Sequence, residues 1–291
     1  MSVAAGFTPG SSPNHQALTA QELWADVLAV RQQAPLVHSV TNLVVMNFNA
    51  NLLLAAGASP IMAHAVEEVP DMVAISHAVA VNIGTLDSQW VPAMVLALQT
   101  ARALGKPGVL DPVGAGASAY RNRTLAYLLA QGKPSIIRGN ASEIMSLAGV
   151  AGASKGVDST AASSDALHSA QSLSRQQACV VCVSGEKDYI VGPHGQLAML
   201  ANGHPLMTRV TGVGCSATAL VAAFAGVQPD PWRACVSAMA YLGVAGQLAA
   251  ARVTIHGGGV GSYAVALLDA VDQLDEDIFT TTLSLRSTHE H

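Results

Sequence analysis

Short apolar segments alternate with longer helical stretches along most of the chain, and this rhythm constrains the fold more than any other feature. Six segments of three to five residues have the character of buried strands: 36–40, 60–63, 79–83, 108–110, 135–138 and 179–183. Helices of about 10 to 18 residues are predicted between most of them. Such alternation predicts an α/β fold, with a mainly parallel central sheet covered by helices on both faces.

The rhythm changes in the second half of the chain. Residues 189–191 and 196–200 predict a hairpin, residues 208–210 predict a last strand, and three helices are expected over 214–226, 232–251 and 260–274. No segment has the composition of a linker, so we expect one α/β domain over residues 17–279. Small and polar residues predict flexible tails at 1–16 and 280–291.

The composition narrows the class of protein. Of 291 residues, 51% are hydrophobic and only 11% are charged, so we expect some apolar helices to be buried between subunits. The net charge of −5 and the scattered basic residues disfavour nucleic-acid binding. No transmembrane segment of about 18 apolar residues and no secretory signal is evident, and four cysteines do not make a disulfide framework. A cytoplasmic protein without a membrane segment is the expectation.

The stretch 210–217 is the first candidate for chemistry. Gly212 and Gly214 flank Val213, Cys215 follows, and residues 217–224 are typical of a helix. Glycine lets a backbone approach a ligand closely, and the first N–H groups of a helix are unpaired, so these four residues predict an anion hole suited to phosphate. A helix N-terminus also predicts a lowered pKa for the Cys215 thiol. The alternative is a simple turn that ends in a buried cysteine.

Polar residues follow several predicted strands, where ligands bind in parallel sheets. Asn42 and Asp111 each follow an apolar strand, and Asn42 could also cap the helix after it. Asp111 could hold Mg²⁺ or accept loop N–H bonds. Arg121 could neutralise a phosphate, or be an ordinary surface arginine. Ser184 could contact a nucleotide phosphate, or lie in a simple turn.

Two further pairs of residues each allow a structural and a functional interpretation. Asn140 and Glu143 have the spacing of a helix capping box, although Glu143 could also reach metal-bound water. Cys179 and Cys182 spell C-x-x-C, but on a strand their side chains point to opposite faces. A redox pair or a zinc site is therefore disfavoured there.

Seven blocks of the chain, taken together, carry a family resemblance. They are 36–42 (LVHSVTN), 47–51 (NFNAN), 57–62 (GASPIM), 82–86 (NIGTL), 110–116 (LDPVGAG), 137–144 (IRGNASEI) and 211–215 (TGVGC). In order and spacing they closely resemble hydroxyethylthiazole kinases of thiamin salvage. The resemblance implies a ribokinase-like fold and a homotrimer with active sites between neighbouring subunits. It also implies transfer of the ATP γ-phosphate to the hydroxyl of 4-methyl-5-(2-hydroxyethyl)thiazole, with Mg²⁺.

The resemblance also implies roles for individual residues on the substrate side. Met62 matches the methionine that contacts the thiazole, and Gly212 matches a substrate-binding glycine. Asn42, at a neighbouring strand end, is taken as a further substrate-binding residue. Cys215 stands where ribokinase-like sugar kinases place a catalytic Asp, which makes it the candidate general base. Val213 departs from the pattern, in which Thr or Ala is usual.

On the nucleotide side, Arg121 matches an ATP-binding arginine of the family. Ser184 occupies a position where the family often has an ATP-binding threonine, and Asn140 is taken as a third ATP-binding residue. Asp111 and Glu143 match the acidic residues near the metal ion and the phosphates. A second departure lies at 258–263, which read GGVGSY where Gly-Pro-Gly-Ser-Phe is usual.

Three other functions stay open at this point. The first is another vitamin-precursor kinase of the same fold, such as one for hydroxymethylpyrimidine. The second is a non-catalytic thiazole or nucleotide binder in which Cys215 only packs. The third is a dinucleotide oxidoreductase, although no G-x-G-x-x-G follows the first predicted strand.

Overall fold

The computed structural model describes residues 17–151 and 164–289, and its centre is a sheet of nine strands. In chain order they are β1 (Leu36–Val40), β2 (Ser59–Ile61), β3 (Ala78–Asn82), β4 (Gly108–Asp111), β5 (Ile136–Asn140), β6 (Val180–Ser184), β7 (Asp188–Val191), β8 (Gln196–Leu200) and β9 (Leu285–His289). The order across the sheet is β2-β1-β3-β4-β5-β6-β7-β8-β9. The first six strands pair in parallel, and the last three pair antiparallel.

Helices cover both faces of this sheet. They are α1 (Ala20–Gln33), α2 (Met46–Ala55), α3 (Val69–Ile75), α4 (Val91–Ala103), α5 (Ala119–Gly132), α6 (Ala141–Val150), α7 (Ser164–Gln177), α8 (Val213–Ala225), α9 (Pro231–Ile255), α10 (Val260–Gln273) and α11 (Glu276–Thr282). One hydrophobic cluster joins the sheet to α1, α2 and α8 to α11, and the other joins it to α3 to α7. Because the central strands are buried on both sides, their sequences read as continuous apolar runs. The predicted α/β fold class and the hairpin of β7 and β8 are confirmed.

The long helix α9 lies inside the first cluster. Asp230 caps it and Pro231 opens it, at a position where the missing N–H of proline costs nothing. The helix has 25 residues and contains an apolar window of 18 residues with a mean hydropathy of 1.5, which is long and apolar enough to cross a membrane. This stretch was not singled out from the sequence, and 83% of the apolar window is buried inside the fold. The helix packs as a core helix.

Three local expectations were also wrong. Residues 208–210 are not a strand, because a 3₁₀ helix, Pro205–Arg209, occupies most of that segment. Asn42 does not cap α2, since its Oδ1 accepts from Val44 N (3.1 Å) in a turn before the helix begins. Residues 285–289 are not a frayed tail, because they form β9, which pairs with β8. This pairing uses backbone N–H and C=O groups, so the polar side chains of the segment give no sign of it in the sequence. Residues 1–16 and 290–291, predicted as tails, lie outside the described residues, and the single domain over 17–279 stays a prediction.

Candidate active site

Four polar side chains at the carboxyl ends of parallel strands point to the same face of the sheet. Asn82, Asp111, Arg138 and Ser184 each lie two residues after a side chain of the cluster that contains α8, and side chains alternate along a strand. The preceding side chains are Ala80, Val109, Ile136 and Cys182. Helix α8 packs on this face against β1, β3 and β4. The first turn of α8 therefore meets the polar strand ends.

The loop that opens α8 contains several backbone donors that have no acceptor among the described residues. Gly212 has φ +96°, a conformation that favours glycine, and a Cβ there would lie 3.2 Å from a methyl carbon of Val45. The N–H of Val213 faces the Val210 carbonyl at 3.5 Å. In the described part of the chain, no acceptor is found for the N–H groups of Gly214 and Cys215. The N–H of Gly212 has no acceptor among these residues either, so all three amides are open donors of the predicted anion hole.

Cys215 lies in that first turn, half-buried among polar groups. Its Sγ is 3.5 Å from Asn42 Nδ2. Burial raises the pKa of the thiol and the charge of Asp111 raises it further, while the amides of Asn82 and Asn42 and the charge of Arg138 oppose this. The predicted lowering of this pKa was therefore wrong, because burial and a neighbouring carboxylate dominate at this helix end.

Asp111 is the most deeply buried carboxylate of the site, with an exposure of 1%. Its Oδ2 accepts from Asn82 Nδ2 (2.7 Å) and from Thr218 Oγ1 (2.9 Å), one turn along α8 from the loop. Burial raises the pKa of Asp111 to about 7, against the opposing charge of Arg138 and with the support of the Glu143 charge. Among the described residues, no hydrogen bond reaches its other oxygen, Oδ1, which leaves that atom open to a ligand.

A chain of amides joins Asp111 to Cys215. Asn82 Oδ1 accepts from Asn42 Nδ2 (2.8 Å) and from Gly84 N (2.9 Å). Asn42 Nδ2 thus donates to Asn82 and faces the Cys215 sulfur, so both its hydrogens point into the protein. The assignment of Asn42 to substrate binding stays a prediction, and in this structure its side chain bonds Asn82, Val44 and Cys215.

Glu143 and Asn140 form the predicted capping box of α6, which is confirmed. Glu143 Oε2 accepts from Asn140 N (2.8 Å), and Asn140 Oδ1 accepts from Glu143 N (2.9 Å). The second oxygen, Oε1, accepts from Gly114 N (3.0 Å) in the loop after β4. Glu143 therefore joins α6 to the loop that follows Asp111, in addition to capping the helix.

Arg121 is not an ordinary surface arginine. Its Nη1 donates to the carbonyls of Ile83 and Val113 (2.6 Å each), and its Nη2 donates to the carbonyl of Gly84 (2.7 Å). The guanidinium thereby ties together the loops after β3 and β4. The Nε hydrogen and one Nη2 hydrogen have no acceptor in the part of the chain that the structure describes, and they could bond a ligand.

Arg138 was not predicted as a site residue, yet it lies at the centre of the site. Its Nη1 donates to the carbonyl of Gly214 (2.9 Å) and its Nη2 to Ser184 Oγ (2.5 Å). Its Nε is buried and has no partner in the described structure. Burial lowers the pKa of this group, but the charges of Asp111 and other acidic groups outweigh it, and the net shift is upward. Ser184 Oγ in turn donates to the Gly139 carbonyl (3.3 Å).

Met62 follows β2 at the same edge of the sheet and is half-buried. Two histidines hold its segment: His38 Nε2 bonds the Ala63 carbonyl (2.8 Å), and His64 Nε2 bonds the Thr41 carbonyl (3.3 Å). The ring of His64 also stacks on Trp90, with 4.2 Å between centroids. Burial lowers the pKa of both histidines, which keeps both rings neutral at neutral pH.

The two cysteines of the C-x-x-C sequence lie on opposite faces of the sheet. Cys179 and Cys182 belong to opposite hydrophobic clusters, which confirms that they do not face each other.

Within residues 17–151 and 164–289, no group of three or more His, Cys, Asp or Glu side chains could hold a metal ion. Mg²⁺ at a phosphate site needs only one or two carboxylates beside the phosphates, so Asp111 and Glu143 suffice in number.

A separate cavity of about 580 Å³ lies at the opposite end of the sheet. It is lined by residues near the amino ends of β3 to β5, including His77, Arg102, Lys106 and Gly108. None of the predicted site residues lines it. The chemistry-bearing side chains converge instead at the carboxyl edge.

Comparison with known proteins gives a consistent family. The model of the Hydroxyethylthiazole kinase family matches residues 27–277. A hydroxyethylthiazole kinase from Leptothrix cholodnii is 60% identical over 268 residues, which make up 92% of this chain and 96% of that protein. The solved structure of a hydroxyethylthiazole kinase protein from Pyrococcus horikoshii OT3 is similar with a TM-score of 0.83 and 38% identity, over 92% of this chain and 100% of that one.

A more distant likeness concerns the fold alone. An ADP/ATP-dependent NAD(P)H-hydrate dehydratase from Bacillus subtilis, co-crystallised with ATP and Mg²⁺, has a TM-score of 0.54 at 13% identity. The match covers 89% of this chain and 98% of that one. Together these likenesses confirm the predicted ribokinase-like fold.

Proposed function

The chain belongs to the hydroxyethylthiazole kinase family, and from this premise we propose how its residues carry out the family's reaction. The reaction is transfer of the γ-phosphoryl group of ATP to the hydroxyl of 4-methyl-5-(2-hydroxyethyl)thiazole, in thiamin biosynthesis and salvage. The observation that carries the proposal is the convergence of Asp111, Glu143, Arg138 and the open amides of the α8 loop at one edge of the sheet. A dinucleotide oxidoreductase and a purely structural role for this edge are set aside.

The acceptor alcohol lies beside Cys215 in this proposal. Met62 and the backbone at Gly212 contact the thiazole ring, and the hydroxyl points toward the Cys215 sulfur. Cys215 accepts the proton of that hydroxyl as general base, while Asn42 holds the sulfur at 3.5 Å. Because the thiol pKa is raised, the reactive thiolate is a minor form at neutral pH and becomes more abundant in alkaline solution.

The nucleotide lies over the strand ends, with its phosphates near Ser184, Asn140 and the remaining donors of Arg121. Asp111 and Glu143 are the residues that would hold Mg²⁺. The free Oδ1 of Asp111 supports this fit, as does the repulsion from Glu143 that contributes to the raised pKa of Asp111. When bound, the ion offsets the negative charge of the phosphates.

The open amides of Gly214 and Cys215 receive the charge that builds on the transferring phosphoryl group. They are fixed by the first turn of α8 before any ligand arrives, so little reorganisation is needed during transfer. Phosphoryl transfer depends mostly on such positioning and electrostatics, with little covalent work for the protein.

The active form is proposed to be a cytoplasmic homotrimer with sites between subunits. Leu43 and Val44, next to Asn42, are 64% and 66% exposed, which places large apolar side chains on the surface directly beside the site. Light scattering in dilute buffer should report three chains. A stable and active monomer would contradict the shared site.

An ADP-release assay tests the function. Purified protein with ATP and Mg²⁺ receives either the thiazole alcohol or hydroxymethylpyrimidine, and ADP is coupled to NADH oxidation. We expect ADP release only with the thiazole alcohol. Release only with the pyrimidine alcohol would indicate the other vitamin-precursor kinase, and no release with either alcohol would indicate a non-catalytic binder.

A further inference from the structure

Arg138 is held between the acceptor side and the nucleotide side of the site. One nitrogen of its guanidinium donates to the Gly214 carbonyl at 2.9 Å, and the other donates to Ser184 Oγ at 2.5 Å. The approach to the loop is close, since a Cβ on Gly214 would lie 3.1 Å from Arg138 Nη1. Neither the sequence nor the family resemblance assigned this side chain a role.

The charge of Arg138 is not cancelled by a direct partner. Among the described residues, no carboxylate oxygen lies within 4.0 Å of a nitrogen of Arg138. The ion pairs found among these residues both involve Arg233. Asp111, Glu143 and Asp188 surround it at longer range and favour its charged form. Its Nε is buried without an acceptor. A desolvated cation thus lies directly beneath the anion-hole loop.

The bond to Gly214 acts on the neighbouring amide. The Gly214 carbonyl and the Cys215 N–H belong to one planar peptide unit and point in opposite directions. A charge-assisted bond on the oxygen fixes the plane of that unit and polarises it, which makes the N–H a stronger donor. The Cys215 N–H is one of the open amides of the loop in the described structure.

We propose that Arg138 is a positioning residue that aims and strengthens the Cys215 amide through the Gly214 carbonyl, and so stabilises the transferring phosphoryl group without touching it. The inference rests on the proposed anion hole. It deepens that proposal by adding a residue from β5 that determines how well the loop binds the transition state. Because Ser184 Oγ accepts a hydrogen bond from the other nitrogen, the Arg138 side chain also fixes the position of the loop relative to the nucleotide side of the site.

The test compares Arg138→Met with Arg138→Lys. Methionine keeps an apolar stem and loses both bonds, whereas lysine keeps the charge and can hold the Gly214 carbonyl alone. We expect kcat to fall about 100-fold in Arg138→Met and clearly less in Arg138→Lys, with KM for ATP and for the alcohol within about threefold of wild type. The affinity for ADP–fluoroaluminate in the presence of the thiazole alcohol, measured by calorimetry, should fall by the same factor as kcat.

Two results would overturn the inference. The first is a rise in KM for ATP that matches the whole loss of kcat/KM, since Arg138 would then bind the nucleotide itself. The second is an unchanged kcat and an unchanged fluoroaluminate affinity in a folded Arg138→Met protein. If Arg138→Met fails to fold, Arg138→Lys decides: wild-type kcat and wild-type fluoroaluminate affinity together with a raised KM for ATP would overturn the inference too.

A third variant separates this inference from the anion hole on which it rests. Gly212→Ala forces a side chain into φ +96° against Val45, and it should displace the loop and lower kcat strongly. If folded Gly212→Ala keeps wild-type kcat, the anion hole itself is wrong. If Gly212→Ala loses kcat and Arg138→Met does not, only the role of Arg138 is wrong.

Discussion

Two buried aspartates in this molecule are held in opposite ways. Asp26 of α1, at 5% exposure, is bonded by Arg233 Nε (2.9 Å) and Nη2 (3.0 Å), by Ser237 Oγ (2.6 Å) and by Gln228 Nε2 (2.8 Å). Asp111 is buried more deeply, yet among residues 17–151 and 164–289 only neutral groups donate to it, on one of its two oxygens.

The difference is the one expected between a carboxylate that stabilises the fold and the carboxylate that we propose as a ligand of Mg²⁺. The charge of Asp26 is balanced by a guanidinium in direct contact, and all the donors come from helix α9 or the segment before it, so the cluster fastens α1 to the core. Asp111 has no guanidinium in direct contact among the described residues, and its burial raises its pKa to about 7 although the charge of Arg138 opposes this. A protein tolerates such a cost where a ligand supplies the missing counter-charge.

The largest effect should come from placing a second negative charge beside Asp111, compared with a second negative charge beside Asp26. Asn82→Asp places a carboxylate against Asp111 Oδ2, where the amide now donates at 2.7 Å. With no cation in contact, we expect a loss on the order of 3 kcal/mol in the free energy of unfolding at pH 8, measured by urea denaturation. Activity per folded protein should also fall by at least about 100-fold.

The matched control is Gln228→Glu, which places a carboxylate beside Asp26 at the corresponding position of the other cluster. Arg233 already contacts Asp26 there, so we expect a clearly smaller loss of stability and a kcat within about twofold of wild type. Equal losses of stability in the two variants would show that both aspartates are balanced alike, and the comparison would fail.

The pKa of the Cys215 thiol depends in part on the charge of Asp111. Burial and Asp111 raise the thiol pKa, so kcat of wild type should rise with pH in the alkaline range if the thiolate is the base. Cys215→Ala should reduce kcat by about 10- to 100-fold and remove this rise, because positioning provides the remaining catalysis. Cys215→Asp should keep activity and lose the alkaline rise.

The measurement for Cys215 is kcat against pH with ATP and Mg²⁺ saturating. If Cys215→Ala matches wild type at every pH, the sulfur is not the base, and only the backbone of the loop contributes.

The smallest effect should come from Arg121, a cation that is bonded like a structural group but lies at the functional edge. Arg121→Lys keeps the charge and cannot reach three carbonyls with the same spacing. We expect KM for ATP to rise about 3- to 10-fold, with thiazole binding in the absence of nucleotide unchanged by calorimetry. Equal weakening of both ligands would show that Arg121 serves only to hold the two loops.

Much of the fold was predictable because its signals are local. β1 falls on the predicted residues 36–40, and Thr19 and Asn140 cap α1 and α6 by a box that can be read from four residues. β9 was missed because its residues are polar and its stability comes from backbone pairing with β8, far away in sequence. The segment 205–209 was missed because a proline start favours a 3₁₀ turn over a strand.

The site was predictable only in part. Strand ends pointed to Asp111, Asn140 and Ser184, but Asn82 and Arg138 were not singled out. Their side-chain parity on β3 and β5 could have found them, since it places both on the face that α8 covers. The raised pKa of the Cys215 thiol could not be foreseen, because it depends on burial and on Asp111, a contact across the fold.

The most direct test of the contrast between the two aspartates compares Asp111→Asn with Asp26→Asn for kcat with the thiazole alcohol and for thermal stability. For Asp111→Asn we expect kcat to fall at least about 100-fold without loss of stability. For Asp26→Asn we expect kcat within about twofold and a melting temperature lower by at least about 5 °C.

The stability comparison has a defined pH dependence. The folded pKa of Asp111, about 7, lies above its ordinary value of 3.8, so the ionised form destabilises the fold as pH rises through that window. In metal-free buffer, Asp111→Asn should therefore gain stability over wild type between about pH 4 and pH 8. A fully active Asp111→Asn, or an Asp26→Asn that loses catalysis while keeping its melting temperature, would contradict the account.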